Sequence, residues 1–437
     1  MQTDTLTSNE STPMKTIHTV DEVFGITRDL PLNYVNREAV DDKLLSELGA
    51  GRHIVIFGSS KQGKTCLRKH CLPDESYILV QCSNRSDLAD LHANILKRAG
   101  FELTQATTRS ASGKNKLVAK FKAALAGLGM ELEGEKETTH TMTHTTTPLE
   151  IDPEDVNDVI AALKSINFTK YIVLEDFHYL PYETQRDFSV ALKAFHETSK
   201  ITFVIVGVWL EDNRLIVFNG DLTGRVISVN ADKWIEADLR KVIADGASLL
   251  GVSFDDLFIN QLIENSRESV YLVQEACRQT CIRANIKNTV MDNPQIGVGT
   301  DVPTLIKNIV DQQSARYQSF LTNFADGFQA TELEMHRWLL YPILTASPEA
   351  LESGLRYRDI KEIMYQCHPR KEALNVGNLT QSLQSAASLQ SKKDIMPIII
   401  DYDQTNKKLN IVDKGFVIWL QHQSSQELLE DLDIAMP

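Results

Sequence analysis

HIVIFGSSKQGKTCLRKH, residues 53–70, is the stretch from which the fold of this chain follows. Five residues, His53 to Phe57, form an apolar run suited to a buried strand. A glycine-bounded loop comes next, and then a helical pattern carrying Lys64 and Thr65. Gly58-Ser59-Ser60-Lys61-Gln62-Gly63-Lys64-Thr65 matches G-x-x-x-x-G-K-[ST] in full, in the strand–loop–helix setting that the motif requires. The glycines permit backbone conformations that a Cβ would obstruct. The loop amides, running on to Cys66, can then turn toward phosphate at the helix N-terminus. Lys64 would reach the β and γ phosphates, and the Thr65 hydroxyl would ligate Mg2+. ATP with Mg2+ is the expected ligand.

A magnesium-bound triphosphate calls for a carboxylate at the end of a neighbouring strand. KYIVLEDFHYLP, residues 170–181, supplies Glu175 and Asp176 after four apolar positions. Two frames are open. In the preferred one Glu175 takes the metal side and Asp176 orients the attacking water. In the other Asp176 is the metal-side residue and Phe177 leaves no base. Side chains alternate along a strand, so the two acids point opposite ways in either frame.

Working outward, short apolar runs recur at Tyr77–Cys82, Tyr171–Leu174, Thr202–Gly207 and Val226–Asn230, with helical patterns between them. Runs that are apolar on both faces belong to a parallel sheet covered by helices. The fold class expected is α/β: a three-layer parallel P-loop sheet. Residues 103–150 break the rhythm and read as an insertion. Within it KNKLVAKFKAALAGLG reads as a basic helix, and the His140/His144 pair in a Thr-rich context reads as solvated loop. After residue 231 helical spacing dominates. From 328 the order is three helices, Thr331–Leu344, Tyr357–Cys367 and Val376–Gln390, then a β-hairpin from MPIIIDYD and KLNIVDKGFVIWL. That is the order of a winged helix. The expected organisation is a polar tail over 1–20, a nucleotide-binding core over 21–231, a helical lid over 232–327 and a winged helix over 328–437.

Composition excludes little and agrees with this. The 437 residues carry 42% apolar and 24% charged side chains, as in ordinary globular chains. No apolar run approaches the ~20 residues of a membrane span, and no leader pattern opens the sequence. A cytoplasmic protein without membrane contact is expected. The six cysteines are scattered, with neither zinc nor disulfide spacing. A net charge of −14 argues against non-specific nucleic-acid binding.

These motifs in this order resemble the AAA+ ATPases, in particular their origin-initiator-like and STAND branch, and also the ATPases that regulate DNA transposition. The matching pieces are YVNREAVDDKLLSEL (34–48), the complete phosphate loop, VLEDFHYL (173–180), an apolar fourth strand, a helical domain and a terminal winged helix. The resemblance implies that Arg37 packs near the adenine, although a plain surface arginine is an equal reading. It implies a polar sensor in GVWLEDNR, with Asn213 nearest. Arg225, or alternatively Arg214, would be an arginine finger reaching the nucleotide of a neighbouring copy, hence a homo-oligomer. His178 stands where such proteins often carry an acid, and it reads as a packed histidine. Tyr271 replaces the sensor arginine expected in the helical domain, which implies slow hydrolysis. The resemblance thus implies a slow, nucleotide-dependent switch that controls a protein effector, as in bacterial defence modules. The rival readings are a DNA-binding initiator, loader or transposition regulator, and a nucleotide-binding scaffold that does not hydrolyse. The third winged-helix helix offers Asn378, Gln381, Gln384, Ser385 and Gln390, followed by Lys392 and Lys393. Residues 330–437, however, carry 11 Lys and Arg against 15 Asp and Glu, so docking of protein competes with reading of DNA.

Overall fold

The computed structural model describes residues 16–27, 29–110, 113–123, 144–145 and 148–435. Two compact units are present: the chain up to Val35 with Ile235–Ile309, and Asn36–Trp234 with Val310 onward.

The larger unit is built on a five-stranded parallel sheet: β1 (His53–Phe57), β2 (Tyr77–Gln81), β3 (Tyr171–Glu175), β4 (Phe203–Val206) and β5 (Val226–Asn230). The strand order is β2-β3-β4-β1-β5. Every residue of β1 is buried, because helices cover both sheet faces. Val55, Phe57, Leu174, Phe203 and Ile205 join the core on one side. Ile54, Ile56, Val173, Val204 and Val206 join it on the other. This is the expected three-layer P-loop architecture, and β1 and β5 have the bounds read from sequence. The helical pattern carrying Lys64 and Thr65 is helix Lys64–Cys71; it starts at left-handed Gly63 and stops just before Pro73. Helix Leu88–Arg98 is held by a reciprocal capping box between Asp87 and Asp90.

The insertion departs from expectation. Asn115–Ala123 is a strand and not a basic helix. It pairs antiparallel with Phe101–Arg109, and Leu149–Ile151 adds to its other edge. The reason is a period of two that the lysine-rich composition masked. Ala119 is buried and Leu117 and Phe121 are half-buried, whereas Lys120 is exposed. Phe101 lies opposite Phe121 and Leu103 opposite Ala119. That alternation suits a hairpin with one face on the core. His144 lies on a short strand paired with Lys122–Ala123 and not in a loop, while His140 lies outside the described residues.

The carboxyl-terminal part of this unit contains helices Met335–Thr345, Tyr357–Cys367, Val376–Gln384 and Ala386–Lys392, the third expected helix being divided at Ser385. An antiparallel hairpin of Ile400–Asp403 and Lys408–Ile411 follows, with Leu355–Arg356 as a third strand. The second β-type run ends at Ile411. Asp413 then caps helix Lys414–Gln421 by accepting from Gly415 N, so FVIWLQ is helical throughout. Phe416 and Trp419 from this helix pack on Tyr317.

The smaller unit is helical, with Glu236–Leu250, Asp256–Asn265 and Val270–Arg283. The amino-terminal segment belongs to it. Thr19 caps helix Val20–Val23, the Asn33 side chain pairs with that of Gln274, and Asp21 accepts from Arg278 Nε at 2.7 Å. The polar tail expected over 1–20 falls outside the described residues through residue 15. No helix among the described residues is long and apolar enough to cross a membrane.

Candidate nucleotide site

Strand β1 delivers the chain to the carboxyl edge of the sheet, where the loop turns on two glycines. Gly58 has φ 147, and a Cβ there would lie 2.5 Å from Asp232 Oδ1. Gly63 is left-handed, with φ 81 and ψ 18. Lys61 between them is also left-handed, at φ 61. The loop therefore curls over the start of the helix and holds Lys64. The Lys64 ammonium donates to the carbonyls of Gly58 (3.0 Å) and Ser59 (2.5 Å). Burial lowers the Lys64 pKa to about 8, against the pull of Asp232, Glu175 and Asp176. Gln62 is buried and its carbonyl accepts from Trp234 Nε1. Thr65 and Cys66 occupy the first helical turn, whose leading amides have no intrahelical partner. The Thr65 hydroxyl is exposed and makes no hydrogen bond to the described residues, and burial raises the Cys66 thiol.

Glu175 and Asp176 leave β3 in different directions. Glu175 is the last strand residue and is buried. It accepts from Arg68 Nε at 2.6 Å, and Arg68 lies one helical turn beyond Lys64. Burial pushes the Glu175 carboxyl up, against the opposing influence of Arg68. Asp176 steps off the strand into a left-handed conformation (φ 57, ψ 34), which aspartate tolerates better than most residues. Its Oδ2 accepts from Gln81 at the end of β2. Burial raises its pKa, with Gln81 and Lys64 opposing. The sheet thus brings Lys64, Glu175 and Asp176 into one electrostatic neighbourhood. A hydroxyl on the residue after Lys64, together with the two carboxylates that act on Lys64, fits in chemistry the protein's share of a Mg2+ shell completed by phosphate and water. Among the described residues no group of three or more His, Cys, Asp or Glu side chains forms a metal site of its own.

The remaining sequence-predicted residues divide sharply. Arg37 is buried, so the plain surface reading fails. Its guanidinium lies 4.0 Å from the Trp234 ring centroid and donates from Nη1 to Ala231 O at 2.8 Å. His178 is buried against Tyr179, with ring centroids 4.0 Å apart and neither nitrogen hydrogen-bonded. Burial, then Lys64 and Arg214, hold it well below the usual histidine range and keep it neutral. Asn213 provides the backbone start of helix Arg214–Phe218. Arg214 is committed within the chain, donating to both Asp401 oxygens at 2.9 and 3.3 Å. Arg225 lies elsewhere. Its carbonyl accepts from His53 N at the amino edge of the sheet, the whole length of β1 away from the phosphate loop, and its side chain pairs with Glu197 at 2.9 Å. Gln390 is not available for recognition. It is buried, and its amide bridges Ile399 N, Ile400 O and Ala386 O.

Sequence reading missed Asp232, which accepts from Ser59 N at 2.7 and 2.9 Å and from the Ser59 hydroxyl at 2.5 Å. An acid two residues beyond the fifth strand was the available signal. It also missed Arg68, whose i,i+4 spacing from Lys64 sets both on one helix face.

No family model matches the sequence, and no curated protein matches it. Solved structures similar in chain course include the Walker-type ATPase of Pyrococcus abyssi (11% identity, TM-score 0.48, covering 91% of this chain and 99% of that one). Others are the ORC1 protein of Aeropyrum pernix in complex with DNA (11%, 0.43, 96% and 98%) and the RuvB Holliday junction branch migration motor of Thermotoga maritima (11%, 0.34, 91% and 95%).

Proposed function

We propose that this chain is an AAA+-type ATPase that binds ATP–Mg2+ in the loop Gly58–Thr65 and hydrolyses it slowly as a cytoplasmic molecular switch. The observation that carries this reading is Lys64, buried under its own loop beside Glu175 and Asp176. A lysine held charged among inward-facing carbonyls and two acids has a clear partner in a polyphosphate. Lys64 neutralises the β and γ phosphates, and the helix amides hold their oxygens. Thr65 and Glu175 hold the Mg2+, which supplies Lewis-acid charge neutralisation when bound. The bond of Glu175 to Arg68 sets it on the side of the phosphate-loop helix and supports the frame in which it is the metal-side acid. Asp176, turned toward Gln81, orients the attacking water. Arg225 acts on the nucleotide of a neighbouring copy, so the working form is a homo-oligomer. Its output is control of a protein effector. Calorimetric titration with ATP–Mg2+ tests the core of this reading. The wild type should bind and Lys64→Ala should not; equal binding by both would remove the site.

DNA contact is the second reading. It is favoured by the exposed Gln381 and Gln384 on helix Val376–Gln384, although the part played by Gln390 shortens the candidate face. Duplex binding that weakens steeply with salt would support it, and no binding at low salt would exclude it.

A further inference from the structure

The carboxyl edge of the sheet is covered from within its own compact unit. The amide of Ser60, in the phosphate loop, donates to the carbonyl of Val412 at 2.7 Å. The neighbouring Lys61 ammonium donates to Gln313 Oε1 at 2.9 Å. From the loop after β4, Arg214 forks onto Asp401, and Glu211 accepts from the Thr405 hydroxyl at 2.5 Å. Tyr179, from the turn after Asp176, packs with Val208 and Leu210 against Ile398 and Val412. Three loops that leave the edge beside the candidate nucleotide site therefore share one platform, the carboxyl-terminal hairpin and its flanks.

We propose that this hairpin is a latch on the phosphate loop and that nucleotide binding opens it. The inference rests on the nucleotide-site reading above. With the latch closed, Lys64 is spent on the carbonyls of Gly58 and Ser59, the Ser59 amide on Asp232 and the Ser60 amide on Val412. A phosphate must draw Lys64 off those carbonyls and turn loop amides inward. A loop tied to the hairpin flank at Ser60 cannot make that turn without loosening that bond; the Lys61–Gln313 bond lies outside the hairpin and only steadies the loop beside it. Arg214 and Glu211 hold the platform in place from the adjoining loop, so the cost of loosening is shared across the hairpin. Linkage then fixes the reciprocal effect: what nucleotide does to docking, undocking must do to nucleotide affinity, by the same factor.

The experiment compares wild type with Thr405→Val and Asp401→Asn, each full-length and shown to be folded by circular dichroism. It measures the Kd for ATP–Mg2+ by calorimetry and the amide hydrogen exchange of residues 398–413 with and without nucleotide. The expected result is tighter binding, by about threefold for the exposed Thr405→Val and about tenfold for Asp401→Asn. In the wild type, ATP–Mg2+ should speed exchange across the hairpin. If Asp401→Asn does not fold, Thr405→Val and the wild-type exchange decide the matter. Unchanged or weaker binding in the folded variants, or a hairpin that nucleotide leaves unchanged or protects further, overturns the latch. A wild type that binds no nucleotide overturns the site reading and the latch together, whereas binding that is merely indifferent to the variants overturns the latch alone.

Discussion

At the scale of the residue, the proposed function turns on Lys64 and Asp176. Lys64 in the fold has a pKa of about 8, lowered chiefly by burial, against about 10.4 in an unfolded chain. The folded state then holds fewer protons than the unfolded one between these values, so Lys64 adds stability as pH rises from about 8 toward 10. Nucleotide affinity should move the other way, because phosphate needs the ammonium. Between pH 7 and pH 9 the affinity for ATP–Mg2+ should fall by about tenfold. The fall should vanish in Lys64→Arg, if that variant binds at all, because a guanidinium stays charged. Titrations at three pH values check this. Asp176→Asn keeps the shape and the Gln81 contact but loses the carboxylate proposed to orient the water. Binding should persist while turnover drops by about 10²–10⁴-fold, read by phosphate release; turnover at the wild-type rate would assign the water to another group.

At the scale of the element, the phosphate-loop helix and β3 are fastened by the Arg68–Glu175 pair, buried on both sides. Arg68→Met would leave an unpartnered buried carboxyl and should cost about 3–5 kcal/mol in denaturant unfolding. A loss below about 1 kcal/mol would mean that the pair is solvated like a surface ion pair. Elements also mark where the sequence was readable. The five core strands stood out because each is a short, mostly apolar run, four of them closed by a glycine, an acid or an asparagine and β2 by Gln81. Walker-type spacing then singled out Lys64, Glu175 and Asp176, which the fold brings near one another. What was not readable depends on contacts far apart in sequence. Asp232 finds Ser59 across 173 positions, and Gln390 becomes a hairpin brace only once Ile399 and Ile400 reach it. The Asn115–Ala123 strand was hidden because lysines suit a helix surface and a solvent-facing strand equally, and only the Leu117, Ala119 and Phe121 alternation tells them apart.

At the scale of the whole molecule, the two candidate finger arginines are no longer equivalent. Arg214 is half-buried and forks onto the buried Asp401, whereas Arg225 is half-exposed, pairing at the surface with Glu197 and donating to the Asp221 carbonyl. Arg225→Ala should change stability by less than about 1 kcal/mol and leave single-chain nucleotide affinity intact. If Arg225 serves a neighbouring copy, the same variant should abolish concentration-dependent ATPase activity. Light scattering and turnover measured across a dilution series separate these effects; turnover per chain equal to wild type at every concentration would exclude the trans role. The strand order carries a further consequence, one for biogenesis. Strand β1 has both its neighbours, β4 and β5, about 150 and 170 residues downstream. At ~5–20 residues per second on the ribosome, a chain that has emitted β1 waits roughly 10–30 s before either flank exists. Over that interval five consecutive buried-type residues stand with both edges unpaired, so the nascent protein passes through an aggregation-prone state before its phosphate loop can form.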